Sequence, residues 1–199
     1  LGERKMKDKK NLLVGLLLVG FIVLLIVIAL VFHKPKTNEN IKTASDIKSM
    51  LNIIYNNLGD TIPSLETEEV SLSDKDLVKS LTGLDNTDDI KTLVTSEPLM
   101  NVQALEVAVL KTSENASVEK MMQTMQENIN MNKWICVSAD KMYLASSGDV
   151  IFMVMADSDW AKSIYDEFLK YLDKAPDKTL ERDNSFDDGI LPGDRPVAD

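Results

Sequence analysis

The sequence predicts an α+β protein in which an N-terminal transmembrane helix is followed by one small, mostly antiparallel sheet with helices packed against it. Three observations predict this class. Residues 12–32 are an unbroken apolar run, several segments between residues 101 and 156 have strand patterns, and amphipathic helix patterns lie before and after those segments. The chain has 199 residues, enough for one folded domain beside the apolar run.

The apolar run Leu12–Phe32 contains no charged residue. A helix of this length spans about 31 Å, close to the ~30 Å hydrocarbon core of a bilayer. A cleaved signal peptide would have a shorter apolar core that ends in small residues, whereas this run ends at His33. We therefore expect an uncleaved membrane anchor, with a cytoplasmic tail over residues 1–11 and a stalk linker over residues 33–44.

Basic residues near the ends of the anchor predict its orientation. Five lysine and arginine residues precede it and three follow within ten residues. We therefore expect the N-terminus in the cytoplasm and the folded domain outside the cell membrane. The alternative start at Met6 would leave three basic residues on each side, and the charge rule would then no longer decide the orientation.

Helix signals dominate the first half of the expected extracytoplasmic domain, residues 45–174. The first predicted helix has Thr43 or Ser45 as its N-cap and Gly59 as its C-cap. The predicted elements are a helix over 45–58, a loop from Pro63 that includes LETEEVSLSDKDL, a short helix over Ser73–Leu81 closed by Gly83, and a further turn or short helix over Asp85–Leu93.

Strand signals dominate the second half of this domain. The predicted elements are a strand over Asn101–Lys111, a helix from Ser117 to about Met131, strand character over Lys133–Ser138 and Lys141–Ala145, a strand over 150–156 and a closing helix capped by Asp157 or Ser158. The first of these strands has apolar residues on both sides, which predicts a central position. Met121, Met122 and Met125 lie at helical spacing and are interpreted as core.

The charge of the chain limits its partners. After residue 11 there are 30 acidic residues against 17 basic ones. Nucleic acid is not an expected partner, because phosphate backbones select clustered lysine and arginine. The polar, proline-containing residues 175–199 are predicted to form a disordered acidic tail.

The side chains that most enzymes use are scarce. His33 is the single histidine and Cys136 the single cysteine, which excludes a histidine-based triad, an internal disulfide and a Cys/His metal centre in the domain. Cys136 lies in an apolar, strand-like segment and is expected to be buried and inert. We expect no enzyme activity, no cofactor and no metal.

Carboxylates are the abundant reactive groups. Two acidic clusters occur, Asp85 with Asp88 and Asp89, and Asp183 with Asp187 and Asp188. Neither has the glycine position and the closing glutamate of a calcium loop, so both are interpreted as solvated turns. Glu106 is a weak candidate for a polar core residue, because a charge inside a central strand needs a partner or a strand end. A buried salt bridge or a hydrogen-bonded structural role is favoured over catalysis at this position.

Four stretches carry a resemblance to a known family. They are LTGLD at 81–85, LMNVQALEVAVLK at 99–111, the SVEKMMQTMQENI helix and GDVIFMVMADSD at 148–159. Over about residues 45–172 the chain resembles the domain of unknown function 4358 family, membrane-anchored extracytoplasmic proteins of Gram-positive bacteria. The resemblance implies a place beside membrane-bound O-acyltransferases and their extracytoplasmic partners, which acylate cell-envelope polymers. It implies no catalytic residue.

Two functions remain open at this point. The preferred function is a non-enzymatic interaction or accessory module that is tethered to the lipid bilayer through residues 12–32 and contacts another membrane or envelope protein. The alternative is a carboxylate-based cell-wall hydrolase or a carbohydrate-binding domain, in which Glu106 would act on or bind the ligand.

Overall fold

The computed structural model of the protein describes residues 41–100, 102–172 and 174–184, which form four α-helices, one 3₁₀ turn and six strands. In chain order these elements are α1 (Ala44–Leu58), the 3₁₀ turn (Gly59–Thr61), β1 (Leu65–Glu69), α2 (Lys75–Thr82), β2 (Ile90–Pro98), β3 (Leu105–Thr112), α3 (Val118–Asn128), β4 (Lys141–Ser147), β5 (Val150–Ala156), α4 (Ser158–Tyr171) and β6 (Lys178–Asp183).

The six strands form one sheet in the order β1-β2-β3-β5-β4-β6, and every neighbouring pair is antiparallel. This confirms the predicted α+β class with a single antiparallel sheet. The strands β3 and β5 occupy the middle of the sheet, so both of their faces are covered. Their near-continuous apolar sequences follow from that position.

Helices cover both faces of the sheet. On one face α1 and α4 enclose a core that includes Met50, Phe152 and Phe168. On the other face α2 and α3 enclose a second core that contains Val78 and the methionine stripe of α3. Met121, Met122 and Met125 are buried there, which confirms their interpretation as core.

The helix ends follow the sequence signals. Thr43 and Asp46 form a reciprocal capping box at the start of α1. Asp157 accepts hydrogen bonds from the backbone N–H groups of Asp159 and Trp160 at the start of α4. Gly83 ends α2 in the left-handed region, with φ of 74°.

Three strands lie where the sequence predicts none, two of them, β1 and β2, in the first half of the domain. The predicted loop contains β1, an edge strand in which three of five residues are glutamates, so its sequence lacks the usual apolar alternation. The predicted turn or helix over Asp85–Leu93 runs into β2. A register shift between Ile90 and Thr92 breaks the two-residue period at the start of β2. Ile90 and Leu93 are therefore apolar residues three positions apart, a spacing that is typical of a helix.

The segment between α3 and β4 is irregular, so the strand predicted over Lys133–Ser138 is wrong. Trp134 and Val137 pack against the α2–α3 core, but Cys136 is exposed, and it was expected to be buried. The Cys136 backbone has φ of 64°, a conformation that is costly for a residue with a side chain. Irregular backbone can place apolar side chains on either side, so strand periodicity gave the wrong burial for this residue.

Strand β6 corrects the prediction of a disordered tail over residues 175–199. It pairs with β4, although only Leu180 packs against a core. Ile41 is also buried, so the folded part begins before residue 45. Residues 185–199, the predicted cytoplasmic tail and the predicted anchor lie outside the described residues. Within the described part of the chain, no helix combines the length and the apolar character needed to cross a membrane.

Arg182 of β6 caps the C-terminal end of α3, which has no basic residue in its last turn. Its guanidinium group donates to the backbone carbonyls of Gln126 and Ile129, the second at 2.6 Å, and its Nε donates to Met131 Sδ at 3.2 Å. Carbonyls at a helix end lack donors within the helix. Arg182 therefore fixes the edge strand to α3.

Replacing Arg182 with methionine is expected to lower the free energy of unfolding by about 1–3 kcal/mol, because carbonyls at the α3 end lose charged donors. Urea unfolding of the full chain in detergent micelles measures this change. Lys178→Met is the control in the same strand, since Lys178 reaches α3 through an exposed pair with Glu119 at 2.7 Å. That variant should lose much less stability than the Arg182 variant, because an exposed ion pair contributes little. Equal losses would contradict the capping role of Arg182.

Candidate functional site

The candidate site lies at the end of the sheet where β2 is connected to β3. Pro98 ends β2 there, and Leu105 begins β3. Leu105 is paired with Ala156, and Ala156 is paired with Lys141, the first residue of β4. The segment 129–140, which leads into β4, therefore reaches the same end of the sheet. Two irregular stretches that are far apart in sequence meet there.

Glu66, Glu97 and Glu106 form a carboxylate row across three neighbouring strands. Glu66 is paired with Glu97 in the β1–β2 register. One step beyond the Ser96–Val107 pair, Glu97 comes opposite Glu106. Directly opposed residues project from the same face of a sheet, and for this row it is the face that α2 and α3 cover. Burial rises along the row from exposed Glu66, through Glu97, to fully buried Glu106.

Lys133 is the cation that meets this row. Its Nζ forms an ion pair with Glu106 Oε2 and lies 3.5 Å from Glu97 Oε1. Burial lowers the pKa of Lys133, and the nearby Glu97 carboxylate opposes that shift. The Lys133 ammonium group also lies 5.3 Å from the centre of the Trp134 ring. Glu106 Oε1 is buried and has no hydrogen-bond partner within the described ranges.

A pocket of about 310 Å³ adjoins Lys133. Its lining residues are Asp76, Lys79, Ser80, Asn128, Asn130 and Lys133. Lys79 is already paired with Asp85 at 2.6 Å, and Lys133 is paired with the carboxylate row. The other polar groups of the lining are amides, a hydroxyl and a carboxylate, which suit a ligand with hydroxyl or amide groups better than an apolar one.

An apolar tip lies beside the carboxylate row. It consists of Leu99, Met100 and Val102 in the β2–β3 connection and Ile135 in the segment 129–140, with exposed fractions between 63% and 79%. In the described part of the chain the only other exposed large apolar side chain is Leu77, on α2. Lys133 joins the two stretches that carry the tip, because it contacts Glu97.

The aspartates that the sequence singled out take no part in this site. Asp85 is held by Lys79, while Asp88 and Asp89 lie exposed before β2. Asp183 pairs with Lys141 at 2.8 Å, and the two later aspartates of its cluster lie outside the described residues. No group of three or more metal-ligating side chains is arranged around a cation site within residues 41–184 as far as they are described.

The geometry favours binding over proton transfer. A general acid or base has to reach its substrate, whereas Glu106 is fully buried and ion-paired with Lys133. Glu97 and Glu66 are accessible, and they lie next to the exposed apolar tip. An accessible apolar group beside accessible carboxylates is suited to contact with another molecule.

Glu106 is the one residue of this site that the sequence analysis singled out. Its fellow carboxylates Glu66 and Glu97 belong to β1 and β2, two of the three strands that the sequence did not predict, so their alignment could not be foreseen. Lys133 was assigned to a strand that is absent. A usable signal existed in Leu99 and Met100, two apolar residues that follow Pro98 and belong to no predicted helix or strand.

No protein-family model, no curated protein and no solved structure matches this chain. The fold and the site together define a domain with one antiparallel sheet between two helical layers and an acidic, apolar-tipped hairpin end.

Proposed function

We propose that this protein is a membrane-tethered extracytoplasmic interaction module without enzyme activity, which acts as an accessory subunit in the assembly or modification of a cell-envelope polymer. The apolar tip carries this proposal. Leu99, Met100, Val102 and Ile135 are exposed at one end of an otherwise acidic domain. Apolar side chains that cluster on a surface mark sites of contact with other molecules.

The chemistry of the site supports binding. Burying a side chain such as Leu99 or Ile135 against another surface contributes about 1.5–3 kcal/mol, so a few such residues can carry most of the affinity of an interface. The polar groups around the tip would form its rim. The domain itself needs neither a cofactor nor a metal for such a role.

The sequence supports the tether and the compartment. Residues 12–32 are long and apolar enough to hold the chain in the lipid bilayer, with the N-terminus in the cytoplasm and the domain outside. A permanent tether favours a partner in the same membrane or in the adjoining envelope. The resemblance to the domain of unknown function 4358 family of Gram-positive bacteria favours a membrane-bound O-acyltransferase system as that partner.

Cys136 provides a direct test, because it is exposed next to Ile135 and is the one cysteine of the chain. A membrane-impermeant maleimide that carries a photoreactive diazirine is expected to label Cys136 on intact cells, and light should then yield one protein adduct. Leu99→Ser combined with Val102→Ser should abolish that adduct while changing the free energy of unfolding by less than about 0.5 kcal/mol.

Leu77→Ser is the matched control, since Leu77 is also an exposed large apolar side chain but belongs to α2 and not to the two stretches that carry the tip. It should leave the adduct intact. Failure to label Cys136 on intact cells, with labelling after lysis, would contradict the extracytoplasmic location. An adduct that survives in the Leu99→Ser, Val102→Ser variant would contradict the role of the tip.

The alternative, a carboxylate-based cell-wall hydrolase or a carbohydrate-binding domain, has one observation in its favour. Glu97 and Glu106 lie near the polar pocket that Lys133 lines, and paired carboxylates are the groups that glycoside hydrolysis uses. A Glu106→Gln variant that folds but loses hydrolysis or binding of cell-wall fragments would favour this alternative. Unchanged binding of a protein partner by the same variant would favour the interaction module.

A further inference from the structure

We infer that the partner of the apolar tip presents a cationic side chain, arginine or lysine, to Glu66 and Glu97 at the open end of the carboxylate row. This inference rests on the proposed interaction function and adds the chemistry of the partner. The bound partner would place an apolar group on the tip and a guanidinium or ammonium group on the adjacent carboxylates.

The row has more negative charge than the domain neutralises. Glu66 and Glu97 are directly opposed in the β1–β2 register, and like charges in that position are destabilising. Lys133 is the one cation that contacts the row among the described residues, and it contacts Glu97 and Glu106. Two of three carboxylates thus share one ammonium group, and Glu66 has no ion pair within the described ranges.

The unequal burial of the row gives it a direction. The inner end of the row is closed, because Glu106 is fully buried and is bound by Lys133 of the segment 129–140. Glu106 Oε1 nevertheless lacks a hydrogen-bond partner among the described atoms, although it is buried. The outer end of the carboxylate row is open at Glu66. A donor with several N–H groups, such as a guanidinium group, could bind Glu66 and Glu97 together.

Charge also decides between the possible occupants of the tip. An anionic bilayer surface would be repelled by Glu66 and Glu97. A second copy of this chain bound through the same end would bring two such pairs of carboxylates together, which costs free energy. A protein surface with an apolar centre and a basic rim would bury the apolar tip and neutralise the carboxylate row.

The test compares two glutamates on the same face of β1. Glu66 faces Glu97, whereas Glu68 faces Thr95. With the maleimide–diazirine reagent on Cys136 of the full chain in native membranes, Glu66→Gln and Glu97→Gln are each expected to lower the yield of the protein adduct about fivefold to tenfold. Glu68→Gln should leave the yield unchanged. Raising the salt from about 0.1 M to about 0.5 M should lower the wild-type yield.

Mass spectrometry of the adduct should find the crosslinked segment beside an arginine or lysine. Equal yields in Glu66→Gln and wild type, or equal losses in Glu66→Gln and Glu68→Gln, would overturn the inference. An adduct that consists of lipid or of two copies of this chain would also overturn it. If Leu99→Ser with Val102→Ser abolishes the adduct but Glu66→Gln does not lower its yield, the proposed interaction function is supported and the inference of a cationic partner is rejected. Absence of any adduct would overturn both.

Discussion

Replacing Lys133 with methionine is expected to lower the free energy of unfolding by about 3–5 kcal/mol, the range for removing one partner of a buried ion pair. Methionine retains most of the apolar length of the lysine side chain but no charge. Glu106 would then keep a buried carboxylate without a cation, since its Oε2 is bound by Lys133 and its Oε1 has no partner among the described residues. Urea unfolding of the full chain in detergent micelles measures the loss.

Lys141→Met is the matched control for this prediction. The side chains of Lys133 and Lys141 are 15% and 13% exposed, respectively, and both are paired with two acids. The acids of Lys141 are 63% and 78% exposed, whereas Glu106 is fully buried. Water can solvate exposed carboxylates after the lysine is removed, so Lys141→Met should cost no more than about 1 kcal/mol. Similar losses in both variants would show that burial of Glu106 is not the cause.

The loss in Lys133→Met should also depend on pH. A buried carboxylate without a cation takes up a proton more readily than one in water. Lowering the pH from about 7 to about 5 should therefore recover part of the stability of the variant, because the folded state then binds more protons than the unfolded state. The double variant Lys133→Met, Glu106→Leu should recover most of it at both pH values, since it leaves no buried charge.

The sequence predicts the parts of the fold that depend on local apolar periodicity. The helices α1, α3 and α4 each have a buried face that is visible as a repeat in the sequence. The strands β3 and β5 are buried on both faces and are visible as near-continuous apolar runs. Edge strands lack this signal. Both β1 and β6 are rich in charged residues and bury few side chains, so long-range pairing rather than periodicity makes them strands.

The candidate site was largely hidden from sequence analysis for the same reason. Glu106 stands out because it interrupts an apolar strand, but its relation to Glu66 and Glu97 arises from the register of β1, β2 and β3. Lys133 reaches the row from an irregular segment whose conformation no period specifies. Contacts between residues that lie far apart in sequence therefore define the site, and a single sequence shows only its most buried member.

Replacing Gly83 with alanine is expected to lower the free energy of unfolding by about 2–5 kcal/mol. Two costs add at this position. Gly83 has φ of 74°, a conformation that costs a residue with a Cβ about 1–2 kcal/mol. The added Cβ would also lie 2.8 Å from the backbone nitrogen of Ile129, and a backbone atom cannot move aside as a flexible side chain can. Relieving that overlap by shifting α2 from α3 should cost about 1–3 kcal/mol.

Gly148→Ala separates these two costs. Gly148 has a similar φ of 59°, but a Cβ at this position would meet nothing within 4 Å. This variant should lose only the conformational cost of about 1–2 kcal/mol. Urea unfolding of both variants in detergent micelles measures the difference, which reports the close packing between α2 and the end of α3. Equal losses would mean that Gly83 is required for its backbone conformation alone, and that α2 can move away from Ile129 without cost.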